Sequence, residues 1–455
     1  MKQAEIDFGR TAFPINIPDD TDILSMGRAA PLSRPEAAIE AALNRPAGTP
    51  PLSSILKQKL ESNPKAEAVI VISDNTRPVP YSGPEGLLIP LINKLEKSGV
   101  PSSRITLLVA TGTHHPLPES ELKRFLDPRI FSRGLRIINH NSRDPGELVH
   151  IGRTPLGGDI RINRHYMQAD IKILTGLVES HFMAGVSGGR KSICPGLLAE
   201  RSTYILHSGP ILNSPYAADL VLEKNPVHQE ALQVARMAGC DFIINTTLDA
   251  SYRLTGVFAG DLEKAHAQAV DRLMSYAVIP VQNKYDLVIT HTGYVGINHY
   301  QAAKSALIAS KLVNPGGGCL LGAYHPDADP VGGELYKKMM KLLGQTGHKE
   351  FLHRIMSETW DFVPEQWEAQ MWAEVFSRIH PDLFFYACRE LPENVFSWLP
   401  GTDARRYHSG PDDFSSLMEA ALDTLSRRIQ NHLGRRIRKA FLPDGPYGVP
   451  QFPSS

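Results

Sequence analysis

Short continuous apolar runs recur along the chain, with amphipathic stretches between them. The runs cover Ala68 to Ser73, Ile105 to Ala110, Leu135 to Asn139, Ile171 to Val178, Phe242 to Thr246, Leu287 to Thr290, Cys319 to Ala323 and Leu383 to Ala387. They do not alternate apolar with polar, which predicts strands covered on both faces, as in parallel sheets. Helical periodicity occupies Glu85 to Lys97, Glu119 to Phe125, Val227 to Ala238, Leu262 to Tyr276 and Tyr300 to Leu312, with a further helical pattern over Leu198 to Leu206. Strands alternating with helices predict an α/β fold. One long helical pattern ends and a fresh strand begins near Ile279 to Asn283, so the expected division is one domain over 1–280 and a second α/β domain over 281–455. The Pro- and Asp-rich start, to about Pro51, predicts an arm or edge hairpin.

Composition narrows the classes. At 455 residues the chain exceeds what one core serves, in keeping with two domains, and 42% hydrophobic with 21% charged residues is an ordinary globular balance. Lys plus Arg equals Asp plus Glu at 48 each, so no global field draws nucleic acid or an anionic membrane. The basic tail residues Arg427, Arg428, Arg435, Arg436, Arg438 and Lys439 follow a helical pattern, and a neutral protein uses such a face for solvation more readily than for nucleic acid. Four isolated cysteines offer neither a disulfide framework nor metal-ligand spacing. The chain start lacks a leader's apolar core and no run spans a bilayer, so a reducing cytoplasm is the expected home.

Ligands of open α/β sheets bind beyond the carboxyl ends of the strands. There lie SDNTRP (73–78), TGTHHP (111–116), ESHF (179–182) and THTG (290–293). Arg77 offers a planar fork for a carboxylate or phosphate beside Asp74, although a turn-bonded Asp with a surface Arg reads the same way. His114 and His115 follow Gly112 and supply a candidate general base. HFMAGVSGGRKSICPG (181–196) approaches a phosphate-binding loop, but Arg190 stands where glycine is required and Pro195 would interrupt the following helix. Its Lys191 amine suits covalent attachment of a carbonyl-like or thioacid group. His207 could ligate a metal held by something else, or face a helix dipole. Gln301 and Lys304, at i and i+3 on one helical face, suit a small anion with a hydroxyl or carbonyl, and two surface polar residues would look alike.

In order and spacing, SDNTRP, TGTHHP, the 181–196 stretch, His207 and YQAAKS (300–305) resemble the lactate racemase family, whose members use a nickel pincer nucleotide. The resemblance implies two α/β domains with mainly parallel sheets and the cofactor and active site in the cleft between them. It implies that Lys191 carries the cofactor covalently, that His207 completes nickel coordination and that Asp74, Arg77, Gly188 and Gly189 lie about the cofactor. His114 and His181 match the two catalytic bases, and Arg77, Tyr294, Gln301 and Lys304 stand on the substrate side. The implied activity is inversion of C2 of a 2-hydroxy acid, a racemase or epimerase reaction that passes a hydride to the cofactor through a 2-keto acid. Proteins of cofactor synthesis would load it, and homo-oligomer formation stays open. The alternative is a nucleotide-binding protein on the same scaffold without pincer chemistry. For the substrate, Phe182 and Met183 suggest an apolar wall, whereas Tyr294, Asn298 and His299 add polar groups that lean away from lactate itself.

Overall fold

In the computed structural model, which describes residues 1–9, 11–411 and 413–453, the chain forms two compact units. The first comprises Arg28–His207 and Ser214–Tyr276, and the second Met1–Gly27, Ser208–Asn213 and the chain from Ala277 onward. The opening 27 residues thus count with the second unit, not with the segment that precedes residue 280.

The first unit is built on a six-stranded sheet in the order Leu254–Gly260, Phe242–Leu248, Ile171–Leu177, Ala68–Ser73, Ile105–Ala110, Arg136–Asn139. All neighbours are parallel except the edge pair Phe242–Leu248 with Leu254–Gly260. From Ala68–Ser73 the chain builds outward through Ile105–Ala110 and Arg136–Asn139, then returns to the other side with Ile171–Leu177. That reversal is a topological switch point, where open sheets of this kind bind ligands. The continuous apolar runs are explained by burial on both faces: Ile70 and Val71, Leu107 and Leu108, and Ile173 and Leu174, neighbours that point to opposite faces, are all buried. Helices Leu88–Lys97, Glu119–Phe125, Pro226–Ala238 and Lys264–Ala277 fall where the periodicity puts them, with ends shifted by a few residues. The stretch Leu198 to Leu206 does not form the α-helix its pattern predicts. It is turns with a 3-10 segment at Glu200–Thr203, because its backbone answers other segments: Ala199 N donates to Arg161 O and Glu200 N to Ser142 O.

The second unit has its own parallel sheet, ordered Thr402–Asp403, Phe384–Ala387, Val313–Gly322, Tyr285–His291, Lys439–Phe441, Thr21–Ile23. The expected N-terminal hairpin is present as Lys2–Asp7 paired antiparallel with Ala12–Ile17. The basic tail does not run on one helix. Phe414–Leu433 stops at Gly434 in a left-handed conformation, and Lys439 opens a strand. Its charges are met within the unit, Arg427 by Asp423, Arg435 by Asp286, and Arg436 and Lys439 by Asp20. No helix among the described residues is long and apolar enough to cross a membrane.

Asp286 at the start of Tyr285–His291 ties three segments of this sheet. It accepts from Arg435 Nη1 at 2.7 Å, Arg435 Nη2 at 2.8 Å, Arg438 N at 2.9 Å and Asn314 Nδ2 at 2.9 Å. Burial alone would raise this carboxyl, but the Arg435 guanidinium, the Arg438 amide and Asn314 hold it down at about 2. Its stabilisation is therefore complete above about pH 4 and is lost as pH falls toward 2. Replacement by Asp286→Ala is expected to lower unfolding free energy at neutral pH by about 2–3 kcal/mol, read from the urea midpoint. A loss within a few tenths of a kcal/mol would show that these segments do not depend on it.

Candidate active site

In the first unit the switch point is flanked by the residues that follow Ala68–Ser73 and Ile171–Leu177. Asp74 caps the first strand, with only 5% of its surface exposed. Its Oδ1 accepts from Thr76 N at 3.1 Å and Thr76 Oγ1 at 2.5 Å, and its Oδ2 lies 2.6 Å from His114 Nδ1. Burial pulls the Asp74 carboxyl upward, yet His114, Thr76 and Arg77 together leave it below its ordinary value. An ionised carboxylate only accepts, so the proton between them sits on His114 Nδ1, and in the neutral ring the lone pair is then on Nε2. The His114 side chain is 46% exposed, so that lone pair is within reach of a ligand.

Arg77 reaches across the switch point, its Nε 3.1 Å from Glu179 Oε1. Glu179 stands two residues beyond Ile171–Leu177, and the sequence quoted it without giving it this part. The signal was available, since an acid directly after one central strand faces an Arg directly after the next.

His181 follows Glu179 in the turn-rich stretch. Its Nδ1 accepts from the amides of Met183 at 3.2 Å and Ala184 at 3.3 Å. A neutral ring so held carries its proton on Nε2, the opposite tautomer to His114. Phe182 stacks on the His181 ring at 5.2 Å and, with Met183, is buried beneath the stretch.

The remainder of 181–196 is held from below. The fully buried Arg190 donates to Ala184 O and Val186 O, both at 2.9 Å, and lies 3.0 Å from His266 Nε2. Gly189 N donates to Asn245 Oδ1 at 2.9 Å, and Gly196 O accepts from Gly112 N at 3.0 Å, joining this stretch to the His114 loop. Gly188 and Gly189 both have positive φ. A Cβ on Gly188 would meet Val178 at 2.7 Å, and one on Gly189 would meet His266 at 2.9 Å. Their bareness serves the fold's own packing.

Lys191 stands half-buried in the 3-10 segment Gly189–Ser192. The structure brings it near His207, whose Nδ1 is fully buried. Burial first, and then the Lys191 ammonium, push the His207 imidazole down to about 3, so it stays neutral at neutral pH with a lone pair for a metal. Cys194 is no competing nucleophile, because burial pushes its thiol up to about 12. Among the described residues no three His, Cys, Asp or Glu side chains converge, so a metal beside His207 would need its other donors from a bound group.

Of the residues expected on the substrate side, Arg77 belongs to the first unit and Tyr294, Gln301 and Lys304 to the second. Tyr294 lies half-buried in the turn after Tyr285–His291, and Gln301 and Lys304 share a face of helix His299–Lys311. Asn298 and His299 are not open polar groups. Asn298 caps the helix through Gln301 N and donates to Asp327, while buried His299 lies between the Tyr336 and Tyr386 hydroxyls, stacked on Trp372. Of the three polar groups behind the lean away from lactate, only Tyr294 remains. His291 is likewise structural, its Nε2 2.6 Å from Pro443 O.

Comparison with known proteins accords with this geometry. The family model described as the lactate racemase N-terminal domain matches residues 8–219. The lactate racemase of Lactiplantibacillus plantarum is 34% identical over 347 residues, 76% of this chain and 78% of that protein. The lactate racemase of Thermoanaerobacterium thermosaccharolyticum is 31% identical over 382 residues, 82% of this chain and 86% of that protein. The structure of a lactate racemase apoprotein from the latter organism superposes with a TM-score of 0.82 at 27% identity, covering 99% of this chain and 100% of that one. A Thermotoga maritima protein at 15% identity and a TM-score of 0.63, covering 88% of this chain and 97% of its own, shares the fold. With identity above 30% maintained over more than three quarters of its length, the chain belongs to the lactate racemase family, a family of isomerases.

Proposed function

We propose that this protein inverts C2 of a 2-hydroxy acid, with lactate as the first substrate to try, using a nickel pincer nucleotide joined to Lys191 and ligated through nickel by His207. The observation that carries the reading is the pair of histidines held in opposite tautomers at one switch point. Reversal of a stereocentre needs one group ready to take a proton and another ready to give one. His114, with its Nδ1 proton directed at Asp74, takes the substrate hydroxyl proton at Nε2 as C2 becomes planar. His181, with Nδ1 engaged by two amides, gives a proton from Nε2 when the opposite face of the 2-keto acid is reduced. The other enantiomer is turned over from the state this leaves, with His114 protonated and His181 deprotonated at Nε2, and proton exchange with solvent between turnovers restores either state.

When bound, the cofactor supplies the reversible acceptor for the C2 hydride, and the chain's residues do the rest. The neutral His207 ring and the neighbouring Lys191 amine suit a group that brings its own metal donors. Arg77, oriented by Glu179, and Lys304 with Gln301 are the cationic and amide groups for a carboxylate and a hydroxyl.

Two variants separate the roles. Lys191→Ala should lose both racemisation and the covalent adduct, measured by intact mass and nickel content of protein made in cells that synthesise the cofactor. Racemisation retained without an adduct would sink the tether. Asp74→Asn should keep adduct and nickel but lower kcat by about 10²-fold or more, because an amide no longer dictates which His114 nitrogen holds the proton. Unchanged kcat in a loaded Asp74→Asn enzyme would remove His114 as the oriented base.

A further inference from the structure

In the second unit, strands Tyr285–His291 and Val313–Gly322 are parallel neighbours, so the segments that follow them leave the sheet side by side. The first of these, 292–298, carries Tyr294 and leads into helix His299–Lys311 with Gln301 and Lys304. The second, 323–331, answers it along its length. His325 Nδ1 lies 2.7 Å from Gly296 O, Asp327 N donates to Ile297 O at 3.1 Å, and Asp327 Oδ2 accepts from Asn298 Nδ2 at 2.7 Å. Beyond these, Pro330 O accepts from His299 N at 2.8 Å and Val331 O from Tyr300 N at 3.1 Å. Asn298 Oδ1 takes Gln301 N, so the helix's first three amides are all engaged within the unit. An anion at this helix must therefore be met by side chains, not by the N-terminal amides.

His325 is the buried member of this ladder, 1% exposed, and its own amide donates to Glu390 Oε2 at 3.3 Å. A carbonyl only accepts, so the ring proton sits on Nδ1 and is given to Gly296. Burial pushes the imidazole down to about 4, so at neutral pH the ring is uncharged and ties the loop through that one N–H. The loop is folded tightly there, since a Cβ on Gly296 would collide with the Thr292 side chain.

We propose that His325 is a positioning residue for substrate capture: its bond to Gly296, with the ladder that continues to Val331, sets Tyr294 and the start of the helix that presents Gln301 and Lys304. This rests on the reading in which those three residues face the substrate. A loop ordered before substrate arrives spares the binding step the cost of ordering it. Loss of the tie weakens substrate binding and leaves kcat nearly unchanged, because His114 and His181, which move the protons, belong to the first unit and His325 touches no reacting atom.

His325→Leu keeps the bulk and removes the donor. With the loaded enzyme and lactate as probe, its KM should rise roughly tenfold while kcat stays within about twofold of the wild type. His325→Asn should restore most of the KM, because its Nδ2 donor stands as many bonds from Cα as the histidine Nδ1. Hydrogen exchange of the full chain, which needs no cofactor, should quicken at the amides of 293–300 in His325→Leu and not in His325→Asn. If His325→Leu fails to fold, Asp327→Ala at its exposed position carries the test through the same two readouts, and wild-type values in both overturn the proposal. An unchanged KM in His325→Leu, an equal KM rise in His325→Asn, or unaltered exchange over 293–300 also overturns it. Lys304→Gln tells the two failures apart. If KM is unaltered there too, the substrate-side reading has failed; if KM rises there but not in His325→Leu, only the role of His325 falls.

Discussion

A carboxylate buried at the end of a central strand is the constraint on which the first unit's chemistry depends. Asp74 is tolerable there only because His114, Thr76 and Arg77 answer it from one turn and a neighbouring loop. Meeting that electrostatic demand fixes three things together: the tautomer of His114, the placement of its loop and the course of the SDNTRP turn. The strand itself is held to its neighbour by Tyr81, which accepts from Ser73 N at 2.8 Å and lies 2.6 Å from Thr175 Oγ1. Sheet integrity and proton placement are thus one problem at this point.

The glycine-rich stretch solves a different one. Arg190 lies beneath it, bonding carbonyls at Ala184 and Val186, so the backbone above is a surface pinned by a cation and not a flexible phosphate loop. Its glycines fit against Val178, His266 and the Val221 carbonyl, where any side chain would collide. Lys191 is the first half-buried residue after the buried run 182–190. A tethered group needs such a base, because a covalent bond to a mobile loop would position nothing.

In the second unit the same economy of polar groups recurs around helix His299–Lys311. His299 and Asn298 are committed to holding the helix, through two phenols and a cap, and so Gln301 and Lys304 are presented on a rigid element.

The sequence by itself determined the α/β class, five of the six strands of the first unit's sheet and three of the six in the second's, and the blocks that carry the chemistry. Burial on both faces writes an unbroken apolar run that local pattern suffices to read. It also determined the family, because five short blocks in fixed order and spacing constrain one another. Only the tertiary structure decided that residues 1–27 join the second unit, that Leu198 to Leu206 is not a helix, that Glu179 meets Arg77, that Gly188 and Gly189 serve packing, and that His299 is structural. The reason is common to all of these. Each depends on which distant backbone or charge satisfies a buried group, and such partners are set by long-range contacts to which local periodicity is blind.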